Sequence, residues 1–196
     1  MAIDISRRNF FRKTRQKLTE TVINEIDNKI NAKASRWIRP PFAIDELEFF
    51  LSCTRCNACV EACEYNAIFP LPEKYGPQAA GTPALDLVDN ACHLCKGWPC
   101  VSACVPGALT LLDDKSNQPV VKLANVEIDK NSCIAWSGPE CGACEGACPV
   151  ENTLQFIDFK PVINQSTCVG CALCRSACIQ DPVAISVYSL HVSLEN

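Results

Sequence analysis

The chain changes its hydrophobic rhythm near residue 40. Before that point Phe11, Leu18, Val22, Ile26 and Ile30 recur at about helical spacing, which predicts one helix over residues 7–34. Basic residues crowd the first half of that helix, the less favoured end for cations. The placement hints at an external partner, although a solvated face explains it without function. The apolar stripe suits docking on the body of the protein, a partner helix or an anionic membrane surface. Pro40-Pro41 ends the segment. Beyond it the apolar runs shorten to strand length. Residues 84–88, 108–112, 120–128, 154–159, 161–163 and 183–188 are strand candidates, and residues 45–51 form a short helix. Residues 65–83, rich in Pro and Gly, read as loop. A strand, a polar turn and a cysteine-rich loop recur in that order before Cys92, Cys133 and Cys168, the mark of a duplicated unit.

The cysteines give those loops their chemistry. Sixteen occur, in four groups of four, and every group ends in a C-x3-C step. The groups are Cys53, Cys56, Cys59, Cys63; Cys92, Cys95, Cys100, Cys104; Cys133, Cys141, Cys144, Cys148; and Cys168, Cys171, Cys174, Cys178. The first and fourth read C-x2-C-x2-C-x3-C, the ligand spacing of bacterial cubane ferredoxins, in which the last cysteine of a loop serves the neighbouring cube. All sixteen are candidate metal ligands, and they predict four [4Fe–4S] clusters in two reciprocal pairs. The second group carries the insert Lys96-Gly97-Trp98-Pro99, and the third loops out residues 134–140. Gly97, Pro99, Gly138 and Pro139 turn those inserts back so that the ligands converge. Only Cys148 is followed directly by the usual proline, Pro149, and a [3Fe–4S] centre at one site is the alternative.

Other uses of cysteine fit less well. A disulfide scaffold belongs to short secreted chains, and this chain is longer, with ordinary apolar content. Structural zinc takes two separated C-x2-C pairs around one ion, whereas here three-cysteine loops recur with an offset fourth. His93 lies between two ligands, but each group already supplies four cysteines, so imidazole ligation is not needed. Backbone N–H groups at Gly142, Gly146 and Gly170 are placed to tune the clusters. Trp98 and Trp136 lie inside the loops, as cluster shields or as packing.

Spacing favours sequential pairing. Cys148 and Cys168 are twenty positions apart, a compact two-loop step, while Cys63 to Cys92 and Cys104 to Cys133 are each twenty-nine. Cys53, Cys56 and Cys59 would then share a cube with Cys104, and Cys92, Cys95 and Cys100 with Cys63. Cys133, Cys141 and Cys144 would join Cys178, and Cys168, Cys171 and Cys174 would join Cys148. Spacing alone does not exclude a nested pairing, first group with fourth and second with third. The expected fold is α+β: tandem bacterial 2[4Fe–4S] ferredoxin-like modules at residues 42–112 and 113–196, preceded by a basic helical extension at 1–41.

Charge sharpens the division. Residues 1–40 carry ten Lys and Arg against four Asp and Glu, and residues 41–196 carry eight against eighteen. The formal net charge of −4 would fall to about −12 with sixteen thiolates and four oxidised cubes. An acidic redox body suits docking on a basic partner, and solubility is the plainer reading. No run approaches the ~20 apolar residues of a membrane span, although peripheral contact is compatible. Ser6-Arg7-Arg8-Asn9-Phe10-Phe11 looks like a twin-arginine export signal, but the following segment lacks the ~7–15 apolar residues a cleavable signal needs. A cytoplasmic location is therefore expected, with the periplasm as the alternative.

Text outside the cysteines resembles a known family. Ser6-Arg7-Arg8, Ile38-Arg39-Pro40-Pro41 and Cys53-Thr54-Arg55-Cys56-Asn57-Ala58-Cys59 resemble the NapF-type ferredoxins of periplasmic nitrate reductase systems. The second group, Cys-His-Leu-Cys-Lys-Gly-Trp-Pro-Cys, is more similar to the NapG/MauM group. The resemblance implies electron transfer to, or maturation of, a molybdenum-containing oxidoreductase, whose catalytic subunit would be the partner. Alternatives are a non-redox maturation or cluster-delivery factor and the iron–sulfur subunit of a larger complex. No nucleotide fingerprint, nucleophile–base pattern or acid pair is visible, so neither an enzyme nor a nucleic-acid binder is expected.

Overall fold

A computed structural model of the protein describes residues 37–111 and 121–191. The helix expected over residues 7–34 and the twin-arginine-like text lie outside these residues. The fold is a small mixed one of short helices and three two-stranded sheets. Helix α1 (Glu46–Ser52) leads into the first cysteine loop, as the sequence predicts. Single-turn helices follow in or beside the loops: α2 (Ala58–Glu61), α3 (Pro99–Ser102), α4 (Ile134–Ser137) and α5 (Leu173–Ser176).

The strands are β1 (Ile68–Pro70), β2 (Pro83–Leu85), β3 (Ala124–Ile128), β4 (Leu154–Ile157), β5 (Lys160–Ile163) and β6 (Ile185–Ser189). β1 pairs antiparallel with β2, Ile68 opposite Leu85, and lies between the first two cysteine groups. β4 pairs with β5, Leu154 opposite Ile163, between the last two. β1 falls in the stretch expected to be loop. Its three residues end in a proline, too short a run for alternation to be legible.

The outer edges of each half also pair. β3 and β6 run antiparallel from Ala124–Ser189 to Ile128–Ile185, joining the chain before the third group to the chain after the fourth. In the first half Ala43 bridges Leu109, the Ile44 N–H donates to Ala108 O at 3.2 Å, and the Thr110 N–H donates to Phe42 O at 2.9 Å. Entry and exit therefore meet in both halves, which draws each half's two cysteine loops together.

One apolar cluster holds Phe49, Ile68, Leu85, Leu87 and Val101 from the first half with Val121, Leu123, Ala124 and Ala172 from the second. Trp37 through Pro41 pack into the first half: Pro40 and Pro41 are fully buried and Ile38 bridges Leu85. Beside them the buried Glu46 carboxylate accepts from Trp37 Nε1 at 3.1 Å and Arg39 Nε at 3.0 Å. The Arg39 guanidinium lies 4.4 Å from the Phe49 ring centroid and donates to Thr82 Oγ1 and Pro83 O. A charge pair this deep holds because every polar atom in it has a partner.

Candidate iron–sulfur centres

Three of the four cysteine loops share one backbone device. Asn57, Trp98 and Ala172 each adopt the left-handed conformation, at φ of 61°, 49° and 66°, directly before α2, α3 and α5. Each lies between the second and third cysteines of its group. The turn that follows carries Cys59, Cys100 or Cys174, and an alanine (Ala62, Ala103, Ala177) then delivers the last cysteine. A left-handed residue beside right-handed ones aims successive N–H groups into one concavity, the nest that anionic centres including iron–sulfur sites occupy. Bulky residues rarely hold such angles, and Leu94 (φ 49°) and Arg55 (φ 57°) add two more inside the loops.

The third group departs from that device. Its insert folds as α4 and ends at Gly138, whose φ of 133° reverses the chain. The second positive turn comes at Gly146, between Cys144 and Cys148. Gly138 is thus a turn-back residue, as the sequence suggests.

The thiols gather across groups. Burial, then the neighbouring thiols of Cys104 and Cys53, push Cys59 up to about 12. Burial, then Cys63 and Cys95, push Cys100 up to about 11 against an opposing Val101 N–H. Cys144 is raised by burial and by Cys133, Cys178 and Cys141. Cys171 is raised by burial and by Cys148 and Cys168. Burial, then Cys171 and Cys168, push Cys174 up to about 12. Two remote cysteines line a cavity with the triplet of the neighbouring group: Cys63 with Cys92, Cys95 and Cys100, and Cys178 with Cys133, Cys141 and Cys144. Cys56 alone is lowered, by the Ala58 N–H and the Thr54 side chain, in an exposed position.

None of the sixteen cysteines forms a disulfide. Among the described residues no His, Cys, Asp or Glu group has the geometry of a single bound metal ion. At two places four cysteines line one cavity, a donor set that suits a four-iron cube, which takes one thiolate at each corner. The walls fit as well. Ile128, Ile134, Pro161, Ala184 and Ile185 enclose Cys133, Cys141, Cys144 and Cys178. Pro41, Ala67, Ile68, Leu85 and Trp98 enclose Cys63, Cys92, Cys95 and Cys100. The Ala67 N–H donates to Cys63 Sγ and the Leu109 N–H to Cys104 Sγ, both at 3.3 Å. Amide–sulfur bonds of this kind stabilise charge on a cluster ligand. Buried thiols that raise one another's pKa bind iron with loss of protons, and ligation relieves their mutual repulsion.

The other candidates have plain packing roles. His93 stacks on Tyr65, ring centroids 3.5 Å apart and planes within 7°. Trp98 meets Phe42 edge to face at 4.9 Å. Trp136 Nε1 donates to Pro161 O at 3.1 Å beneath the Lys130 and Lys160 ammonium groups. Gly170 is needed for close approach: a Cβ there would lie 2.1 Å from Ala124 O. Sequence reasoning did not single out Arg175. It follows Cys174 directly, donates to Val88 O at 3.1 Å and also to Ile185 O, and so spans the two halves.

These features define an iron–sulfur protein of the ferredoxin class. A 4Fe–4S binding domain model matches residues 50–69, around the first group. The methylamine utilization ferredoxin-type protein MauM of Methylobacillus flagellatus is 33% identical over 83% of this chain and 73% of its own length. The ferredoxin-type proteins NapG and NapF of Escherichia coli K12 are 30% and 32% identical, over 80% and 81% of this chain and 72% and 89% of theirs. No solved structure matches. The chain belongs to the NapG, MauM and NapF ferredoxin-type family, and its chemistry is iron–sulfur electron transfer. Among the described residues no helix is long and apolar enough to cross a membrane.

Proposed function

We propose that the protein is a four-cluster electron carrier built as two tandem dicluster modules, residues 42–112 and 113–196, with all sixteen cysteines as ligands and no substrate chemistry of its own. The observation that carries this reading is the exchange of remote cysteines: Cys63 lines one cavity with Cys92, Cys95 and Cys100, and Cys178 lines another with Cys133, Cys141 and Cys144. When bound, each [4Fe–4S] centre accepts and releases one electron. The chain supplies the rest. Its thiolates fix the four positions, its left-handed turns aim N–H groups inward, and the apolar walls keep water from the second and third sites. No proton or bond has to change for charge to move.

The partner in this reading is a redox protein, and the NapF-type resemblance makes it the catalytic subunit of a molybdenum oxidoreductase such as periplasmic nitrate reductase. The N-terminal basic segment against an acidic body supports docking by charge, in the cytoplasm. Anaerobic metal analysis tests the core of the proposal. About sixteen iron and sixteen sulfide per chain are expected for four cubes, and stoichiometric zinc with little iron overturns it. Co-purification with the partner's metal-free and metal-loaded forms separates maturation from relay. Retention of the metal-free form alone supports the maturation role.

A further inference from the structure

We infer that electrons cross this molecule in the order first, second, fourth, third site, and that Arg175 is the positioning residue for the middle step. This rests on the four-site reading above. The first site is that of Cys53, Cys56, Cys59 and Cys104, and the second that of Cys92, Cys95, Cys100 and Cys63. The third is that of Cys133, Cys141, Cys144 and Cys178, and the fourth that of Cys168, Cys171, Cys174 and Cys148.

The junction between the halves is made of ligand loops. The Cys92 N–H donates to Cys171 O at 2.9 Å, so a second-site cysteine and a fourth-site cysteine share a backbone hydrogen bond. Ala172, next in the chain after Cys171, belongs to the same buried cluster as Leu87 and Ala91, just before Cys92. Arg175 closes the junction from outside. Its Nε donates to Val88 O at 3.1 Å in the first half, and its guanidinium reaches Ile185 O on β6 in the second. Val88 lies four positions before Cys92, and Arg175 lies next to Cys174. The clamp therefore grips both loops close to their ligands.

Electron tunnelling weakens steeply with distance, so the sites whose loops touch carry the crossing. Within each half the remote cysteines link first to second and third to fourth. The first and third sites are left as the ends, and each has an exposed residue at or beside one of its ligands, where a partner can approach. Cys56 is exposed, Val105 beside Cys104 is 95% exposed, and Ile179 beside Cys178 is 73% exposed. At each step one electron leaves one site, oxidised by one unit, and enters the next, reduced by one. A one-electron reductant supplies the chain and a one-electron acceptor drains it.

The test uses the full chain, loaded anaerobically and reduced with dithionite, with spin–spin coupling between clusters read by EPR. Four variants each delete one site: Cys56→Ala with Cys59→Ala, Cys95→Ala with Cys100→Ala, Cys141→Ala with Cys144→Ala, and Cys168→Ala with Cys174→Ala. Losing the second or fourth site should strand one cluster, seen as an uncoupled narrow signal beside a coupled pair. Losing the first or third should leave three coupled clusters. A stranded cluster in either end-site variant overturns the order. Arg175→Ala, which retains every cysteine, should keep its iron and lose part of the coupling, with Arg175→Lys intermediate. An unchanged coupled spectrum in Arg175→Ala overturns the clamp, and decides the matter for any two-cysteine variant that fails to load. Unmodified chain with little iron would instead sink the four-site reading, so the two failures are told apart.

Discussion

The two halves share a plan and one apolar cluster, but only the first has a second cluster of its own. Residues 37–111 bury Trp37, Leu71, Ala79 and Ala84 in a cluster of their own, and give Phe49, Ile68, Leu85 and Leu87 to the cluster that both halves share. Residues 121–191 bury Val121, Leu123, Ala124 and Ala172 as well, but those belong to the cluster shared with the first half. What remains to the second half alone, beside the cysteines Cys144 and Cys171, is small: Val126, Ala135, Pro161, Ala184 and Ile185. Its β4–β5 hairpin even leaves Ile157 and Val162 exposed, with Phe159 in the turn between them. The difference teaches where stability comes from. The first half has side-chain packing of its own, whereas the second leans on its neighbour and, in the proposed reading, on the clusters its thiols would hold. Inorganic cubes can stand in for a hydrophobic centre because ligation energy is folding energy.

The largest expected effect tests that contrast directly. Complete chelation of the loaded protein should abolish most of its ordered structure. Hydrogen exchange during chelation should release the amides of β3 and β6 before those of β1 and β2. The reverse order would break the comparison. Next comes the charge pair of the first half. Glu46→Ala strands the buried Arg39 guanidinium and should cost about 3–5 kcal/mol, read by denaturant unfolding of the loaded protein. A change near zero would mean that packing alone holds that half.

Gly170→Ala should follow, at about 3 kcal/mol, because the new methyl would collide with the Ala124 backbone at a positive φ. Its effect should centre on the fourth loop, with iron content falling towards three quarters. Full loading and unchanged stability would contradict the close packing of that loop on β3. The smallest effect is expected at Trp136→Phe, which removes one hydrogen bond to Pro161 O and should cost about 1 kcal/mol. If Trp136→Phe destabilised the protein as much as Glu46→Ala, the second half would not be the lightly packed one.

Much of the local structure was legible. The apolar spacing of residues 45–51 predicts a helix, and Glu46–Ser52 is one. Residues 154–159 and 161–163 predict two strands, and they fold as the β4–β5 hairpin. β1 was hidden because three residues ending in Pro70 hold too little periodicity. The glycines were read as amide donors to sulfur, and Gly170 proves to be there for close backbone approach. Amide bonds to cysteine sulfur come from Ala67 and Leu109, which no motif marks. Arg175 was illegible for a similar reason: its partners, Val88 O and Ile185 O, are backbone atoms without a sequence signature.

The amino-acid sequence by itself determined the number of thiol donors, their grouping and the turns that let three of them face one centre. These are local matters, set by spacing and by residues that accept unusual backbone angles. Only the tertiary structure decided which distant cysteine joins each triplet and which two loops meet at Cys92 and Cys171. Those choices depend on strand pairing and shared burial between segments far apart in the chain. Spacing favours the sequential pairing without excluding the nested one, and it is packing that brings Cys63 and Cys178 beside the triplets of their neighbouring groups.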